Sequence, residues 1–219
     1  MSLQIDRSDW PQAQGLIRIG ADFHARGWSL ATSSNYSVVL SRDPLRILIT
    51  ASGKEKQNLT GRDFVVVDEA GRAVDAADNK PSAETMLHVV AAQQPDVGAV
   101  LHTHSVWGTV LSDLYFNRGR VPIEGYEMQK AFTGVTSHEQ ALNVEIFENT
   151  QDIAALAQEV GRRLKDPERP LRHAYLIRRH GLYTWGRDLA EARRQIEALE
   201  FLFEVTGRML QLQGVPLRA

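Results

Sequence analysis

The first half of the chain carries its strand-length apolar runs in pairs joined by turn residues, a pattern that commits the fold to a largely antiparallel sheet. Tyr36 to Leu40 and Leu45 to Thr50 are separated by Ser41-Arg42-Asp43-Pro44, and Phe64 to Asp68 and Arg72 to Asp75 by Glu69-Ala70-Gly71. β-Branched content with Pro and Gly punctuation between the runs reads as two hairpins. Three further apolar runs, Val97 to His102, Val144 to Phe147 and Ala174 to Ile177, are expected to be central strands. Helices are expected at four places. The first starts around Ser8-Asp9-Trp10-Pro11 and ends near Gly27, the second spans Ser82 to Gln94, the third Asp152 to Leu164 and the longest Asp188 to Leu212. Asp188 and Glu191 stand at capping-box spacing. The expected architecture is a mostly antiparallel or mixed sheet covered by helices.

Composition narrows the function. The chain has 219 residues, enough for one domain with a substantial core, and 43% of them are hydrophobic. The net charge of −2 and the lack of any Lys/Arg block speak against a nucleic-acid or membrane-surface partner, so a small molecule is the expected ligand. With no cysteine, disulfides, thiolate metal sites and Cys nucleophiles are excluded, and any metal must sit on His, Asp or Glu. Met1 to Trp10 has neither a basic start followed by an apolar run nor a cleavage-site pattern, and no later apolar stretch reaches spanning length. A cytoplasmic location is expected.

The sharpest local feature is His102-Thr103-His104 at the end of a predicted strand. Alternate residues of a strand share a face, so both imidazoles can turn to one ion, whereas the same spacing on a helix would part them. A bare His-x-His is also what chance proximity on a solvated strand end produces. His180, read as ending another strand and followed by Gly181, supplies a third imidazole, and three such ligands leave open coordination positions, as catalytic zinc requires. Pro81-Ser82-Ala83-Glu84 puts a hydroxyl at a helix start and a carboxylate in its first turn, which suits an anion or an ordinary cap. His88 falls within an apolar pattern and reads as core. The segments 32–37, with Ser34 and Asn35, and 50–54, with Ser52, Gly53 and Lys54, are rich in the donors a phosphate needs, although turns use the same residues. Glu124, Glu127 and Lys130 form a polar stretch in which Glu127 and Lys130 can meet on one helix face.

Taken in order, Ser34-Asn35-x-Ser37, Thr50-x-Ser52-Gly53, Pro81-Ser82-x-Glu84, His102-x-His104 and His180-Gly181 resemble the class II (zinc-dependent) aldolase and adducin-type family over nearly the whole chain. The stretches 31–37, 126–132 and 180–186 look more like a dehydratase branch than the aldolases proper. The resemblance implies a three-layer α/β/α sandwich on a largely antiparallel sheet, formed by residues 1–219 as one domain, and a homotetramer with sites near subunit boundaries. It implies one divalent ion per subunit, Zn2+ first, on His102, His104 and His180. It further implies a phosphate held by Ser34, Asn35, Ser52, Gly53 and Ser82, with Lys54 and Lys130 as further candidates for substrate contacts. The reaction it implies is loss of water from a phosphorylated ketose through an enediolate. Glu127 is the base in the dehydratase pattern and Glu84 in the aldolase pattern; this chain has both, the assignment stays open, and Glu127 is taken first and Glu84 second. Aldolases also usually carry Gly where Ser34 stands. An aldolase or epimerase would share the ligands, and the same fold without its histidines serves as a binding module. Cupin dioxygenases, which also use His-x-His, expect a Glu soon after it that Val106 to Thr109 does not offer.

Overall fold

A computed structural model describes residues 6–74 and 79–213. Eight strands form one sheet: β1 Asn35–Arg42, β2 Leu45–Thr50, β3 Phe64–Val67, β4 Ala99–Thr103, β5 Arg120–Ile123, β6 Leu142–Phe147, β7 Ala174–Ile177 and β8 Gly181–Gly186. Their order across the sheet is β3-β2-β1-β4-β8-β7-β6-β5. Every neighbouring pair is antiparallel except β6 and β7. The helices are α1 Trp10–Ala25, α2 Thr85–Ala92, α3 Val106–Leu114, α4 Ile153–Leu164 and α5 Leu189–Gln213.

Strand alternation assigns each helix to a layer. On β4, Ala99 and Leu101 join the apolar cluster that holds Leu16 of α1, Leu111 of α3 and Leu199 of α5. Val100, between them, faces the other way and joins Leu87 of α2 and Leu156 of α4. Helices therefore cover both faces, giving the three-layer α/β/α arrangement expected from the resemblance. His102 shares the side of Val100, and Thr103 the side of α5, where its hydroxyl reaches Glu200.

Several boundaries differ from the sequence reading. The second helix begins at Thr85, three residues later than expected, because Ser82 and Glu84 are spent on the turn that enters it. After β3 the chain returns to it through one bridge, Val67 to Ala73, with Val74 N–H donating to Val66, and no paired strand forms there; Asp75, like Met1 to Ile5, lies outside the described residues. Three elements were not anticipated. β5 is a four-residue edge strand interrupted by Pro122, which edges tolerate and periodicity hides. β8 is bounded by glycines and follows β7 so closely that it reads as motif and not as strand. In α3, Val106, Val110 and Leu114 are exposed, so its apolar pattern does not mark an inward face. The predicted capping box at α5 is half formed. Asp188 accepts from Glu191 N–H at 2.8 Å, but the Glu191 carboxylate returns to Arg187 N–H instead of to Asp188.

Candidate metal centre and active site

The cluster forms where β4 ends. His102 is its fourth residue, and His104 lies one residue beyond it, held extended by a backbone bond from its N–H to the carbonyl of Trp28 at 2.8 Å. His180 does not end a strand, as the sequence had suggested; it closes the turn between β7 and β8, with its N–H on the Ile177 carbonyl. Gly181 makes this possible through close approach and not through unusual dihedrals. A Cβ there would lie 2.1 Å from the Thr103 carbonyl oxygen and 2.9 Å from His102 Cε1, so any side chain would push the turn off β4.

The three rings meet with centroid separations of 4.5, 4.6 and 5.1 Å, and their ligand atoms lie within 4.8 Å of one another. His102 Nδ1 is 2.9 Å from the Leu182 carbonyl, an acceptor only, so Nδ1 carries the proton and Nε2 presents its lone pair toward His104 Nε2 at 2.7 Å. Tyr183 stacks on the His102 ring at 4.0 Å and fixes its plane. Burial holds His102 well below the usual histidine range and brings His104 down to about 4, the latter helped by the charges of His180 and Lys56. Both imidazoles are therefore neutral at pH 7, the form a metal takes.

Glu84 completes the constellation from the turn before α2. Its Oε1 lies 3.2 Å from His180 Nε2 and its Oε2 3.6 Å from His102 Nε2. Ligand atoms about 2.0–2.1 Å from one tetrahedral ion stand roughly 3.3 Å apart, so the carboxylate is placed as a fourth ligand or as a base beside the other three. Asn35 Nδ2 donates to Glu84 Oε2 at 2.7 Å, and its Oδ1 is bonded to His88 Nε2. Burial brings His88 down to about 3, so it is neutral; with Nε2 donating to Asn35, its Nδ1 accepts from the Ser37 hydroxyl at 2.7 Å. The core histidine of the sequence reading is thus the buried end of a relay that fixes Glu84.

A cavity of about 330 Å³ opens in front of these groups, the size of a small phosphorylated sugar. Ser34, Asn35, Ser52, Gly53, Ser82, Glu84, His104 and His180 all line it. Ser34 and Gly53 have φ of 71° and 72°. Ser34 thus takes, without being glycine, a conformation that glycine adopts freely. Lys54, Glu127 and Lys130 do not line it. Lys54 pairs with Asp63 at 3.1 Å, while Glu127 is exposed on a short 3-10 turn with Lys130 at 2.6 Å and His138 at 3.0 Å, the Lys130 bond lowering its pKa. Lys56, which the sequence reading passed over, does line the cavity. Its one signal is position, in a turn that packs on Gly20 of the opening helix. A larger groove of about 1150 Å³ lies toward the Gly186 end of the sheet and holds none of the cluster.

Behind the site, buried Glu200 accepts from the Thr103 hydroxyl at 2.8 Å and so pins the residue between two of the histidines. Burial raises its pKa to about 7. The folded state therefore holds this proton more tightly than the unfolded chain, and the stability it confers is complete below about pH 4.5 and lost as pH rises through about 7, roughly 3 kcal/mol in all. Glu200→Gln should flatten the fall in urea midpoint between pH 5 and pH 8; an unchanged pH slope in the variant would refute this.

The family model described as "Class II Aldolase and Adducin N-terminal domain" matches residues 14–206. A methylthioribulose-1-phosphate dehydratase of Marinobacter nauticus is 53% identical over 194 residues, covering 88% of this chain and 90% of its own. One from Pseudomonas aeruginosa is 51% identical over 201 residues, covering 91% and 95%. Among solved structures, an L-fuculose-1-phosphate aldolase from Thermus thermophilus superimposes with a TM-score of 0.73 at 24% identity, covering 94% of this chain and 98% of that one. Another L-fuculose 1-phosphate aldolase gives 0.75 at 24%, covering 100% and 93%. At that identity the likeness is one of fold.

Proposed function

The chain belongs to the class II aldolase and adducin family, and from that premise we propose that it removes water from 5-methylthioribulose 1-phosphate to give 2,3-diketo-5-methylthiopentyl 1-phosphate, a hydro-lyase step of methionine salvage. The cluster of His102, His104, His180 and Glu84 fits any sugar-phosphate chemistry that passes through an enediolate. The observation that carries the choice of dehydration is the 51–53% identity, across most of both chains, to enzymes of that name.

His102, His104 and His180 would hold one divalent ion, Zn2+ first, although three imidazoles also suit iron, cobalt or nickel. When bound, such an ion supplies Lewis acidity toward the C2 and C3 oxygens of the ketose. Leu182 and Tyr183 keep His102 oriented, and Asn35 with His88 keeps Glu84 oriented. Glu84 takes the C3 proton, leaving an enediolate. Its electrons expel the C4 hydroxyl, which departs as water with the proton Glu84 has just received, and the C3–C4 enol so formed becomes the 2,3-diketone. Ser34, Asn35, Ser52, Gly53 and Ser82 line the cavity and receive the phosphate.

Glu127, the base of the dehydratase pattern, lies outside this chain's own cavity and can act only if a second copy brings it there. The exposed stripe of Val106, Val110 and Leu114 on α3 supports association, and a homotetramer of single-domain chains is the proposed assembly. Among the described residues no helix is long and apolar enough to cross a membrane, and the proposed location is the cytoplasm. Incubation with methylthioribulose 1-phosphate should yield the diketone phosphate, and with fuculose 1-phosphate no cleavage. Two carbonyl fragments from fuculose 1-phosphate, with no diketone from the first substrate, would make it an aldolase.

A further inference from the structure

The cavity offers neutral donors to its anion, from Ser34, Ser52, Ser82 and backbone, and among its lining residues Lys56 is the single lysine or arginine. Lys56 is 1% exposed. Its Nζ donates to the carbonyls of Lys54 at 2.6 Å and Thr32 at 3.3 Å, one on each of the two loops that border the cavity. No carboxylate of the described residues pairs with it, unlike Lys54, which is held by Asp63. An ammonium has three N–H donors, so one remains beyond the two carbonyls.

The backbone is committed to this burial. Lys56 begins the 3-10 turn whose carbonyl oxygen would lie 2.4 Å from a Cβ on Gly20, so α1 carries a glycine where the turn presses in. A buried cation matched only by carbonyl dipoles is costly until an anion arrives. That cost shows in Lys56 itself, whose pKa burial lowers to about 8, and its charge is felt at His104 across the cavity. Among the described residues Lys56 meets carbonyl oxygens and no paired carboxylate, whereas a phosphate dianion beside neutral hydroxyls calls for a cation.

We propose that Lys56 is the fixed cation of the phosphate subsite, tying the loops at Thr32 and Lys54 together and meeting the anion's charge from the cavity wall. This rests on the reading that the substrate is phosphorylated, and it gives Lys56 the part that the sequence suggested for Lys54. Lys56 acts on binding and position, and the proton transfers stay with the carboxylates.

The test uses the metal-loaded protein and inorganic phosphate as the probe, read by calorimetry, alongside KM and kcat for the ketose phosphate. Lys56→Met should weaken phosphate binding about 30-fold and raise KM by a similar factor, with kcat changed less than about fivefold and metal content unchanged. Lys56→Gln keeps two N–H donors for the carbonyls but loses the charge, and should show most of the same loss; it carries the test if the Met variant does not fold. Phosphate affinity within about threefold of the parent in the folded variants would overturn the proposal. So would a fall in kcat and melting temperature with KM unmoved, which marks a purely structural part. If the parent binds phosphate but forms no diketone, the dehydratase reading fails while this one stands.

Discussion

His104→Ala is expected to bring metal content from one ion per subunit to near zero and to lower kcat on the order of a thousandfold, the several kcal/mol that Lewis-acid stabilisation supplies. Three imidazoles and Glu84 converge on one point, and two imidazoles with a carboxylate would hold the ion more loosely and in a different geometry. Chelation of the parent protein should reproduce the loss, and added Zn2+ should reverse it in the parent alone. Proton competition sets the pH range. Because burial lowers His102 and His104, to about 4 for the latter, proton competition at these two ligands should be slight from pH 8 to pH 6 and grow only below about pH 5. An affinity that falls about a hundredfold per unit already from pH 7, as protonation of two ligands requires, would contradict neutral, buried His102 and His104, and activity in metal-free protein would remove the basis of the mechanism.

Glu84→Gln is the second large effect. The amide keeps the shape and a carbonyl oxygen for Asn35 but cannot accept the C3 proton, so kcat should fall by about a thousandfold with KM little changed, the range for losing a general base. Metal content is the control, since Glu84 stands close enough to the cluster to help hold the ion. Glu127→Gln removes a partner from an exposed ion pair and should cost less than about tenfold. A loss as large as that of Glu84→Gln, with metal retained, would place the base on a neighbouring copy. In that case co-expressing Glu127→Gln with His104→Ala copies should restore activity that neither has alone. Full activity in both Gln variants would discard carboxylate base catalysis here.

The part of the site that could be read from the chain is the part that depends on short-range rules. His-x-His on a strand needs only alternation, and the first hairpin needs only two apolar runs and a turn. What escaped depends on packing between distant segments. The motif names His180 as a ligand but not its route to the cluster: Gly181 allows the β7–β8 turn to press on Thr103, a contact between segments far apart in sequence that leaves no local periodicity. Lys54 and Lys56 are equivalent as letters, and only the fold shows that Asp63 holds one while the other faces the cavity. His88 was read correctly as buried, yet its role in orienting Asn35 requires β1 and α2 to be placed against each other. β5 and α3 were missed because a proline and an exposed apolar stripe blur the patterns that would announce them.

Asn35, His102, Tyr183 and Tyr175 stand directly opposite one another on four successive strands, β1, β4, β8 and β7. This row divides the gene into stretches that can change length and stretches that cannot. Residues may be gained or lost between the Val67–Ala73 bridge and the Ser82–Glu84 turn with the row intact, since no residue of the row belongs to that connection. One codon inserted within β4 would rotate His102 toward α5 and turn Thr103 to the cavity side, so the whole cluster would vanish in a single step while the apolar count of the chain stayed the same. Drift in this lineage is therefore expected to accumulate as loop-length variation, with the β4 segment admitting substitutions but no frame-preserving insertions.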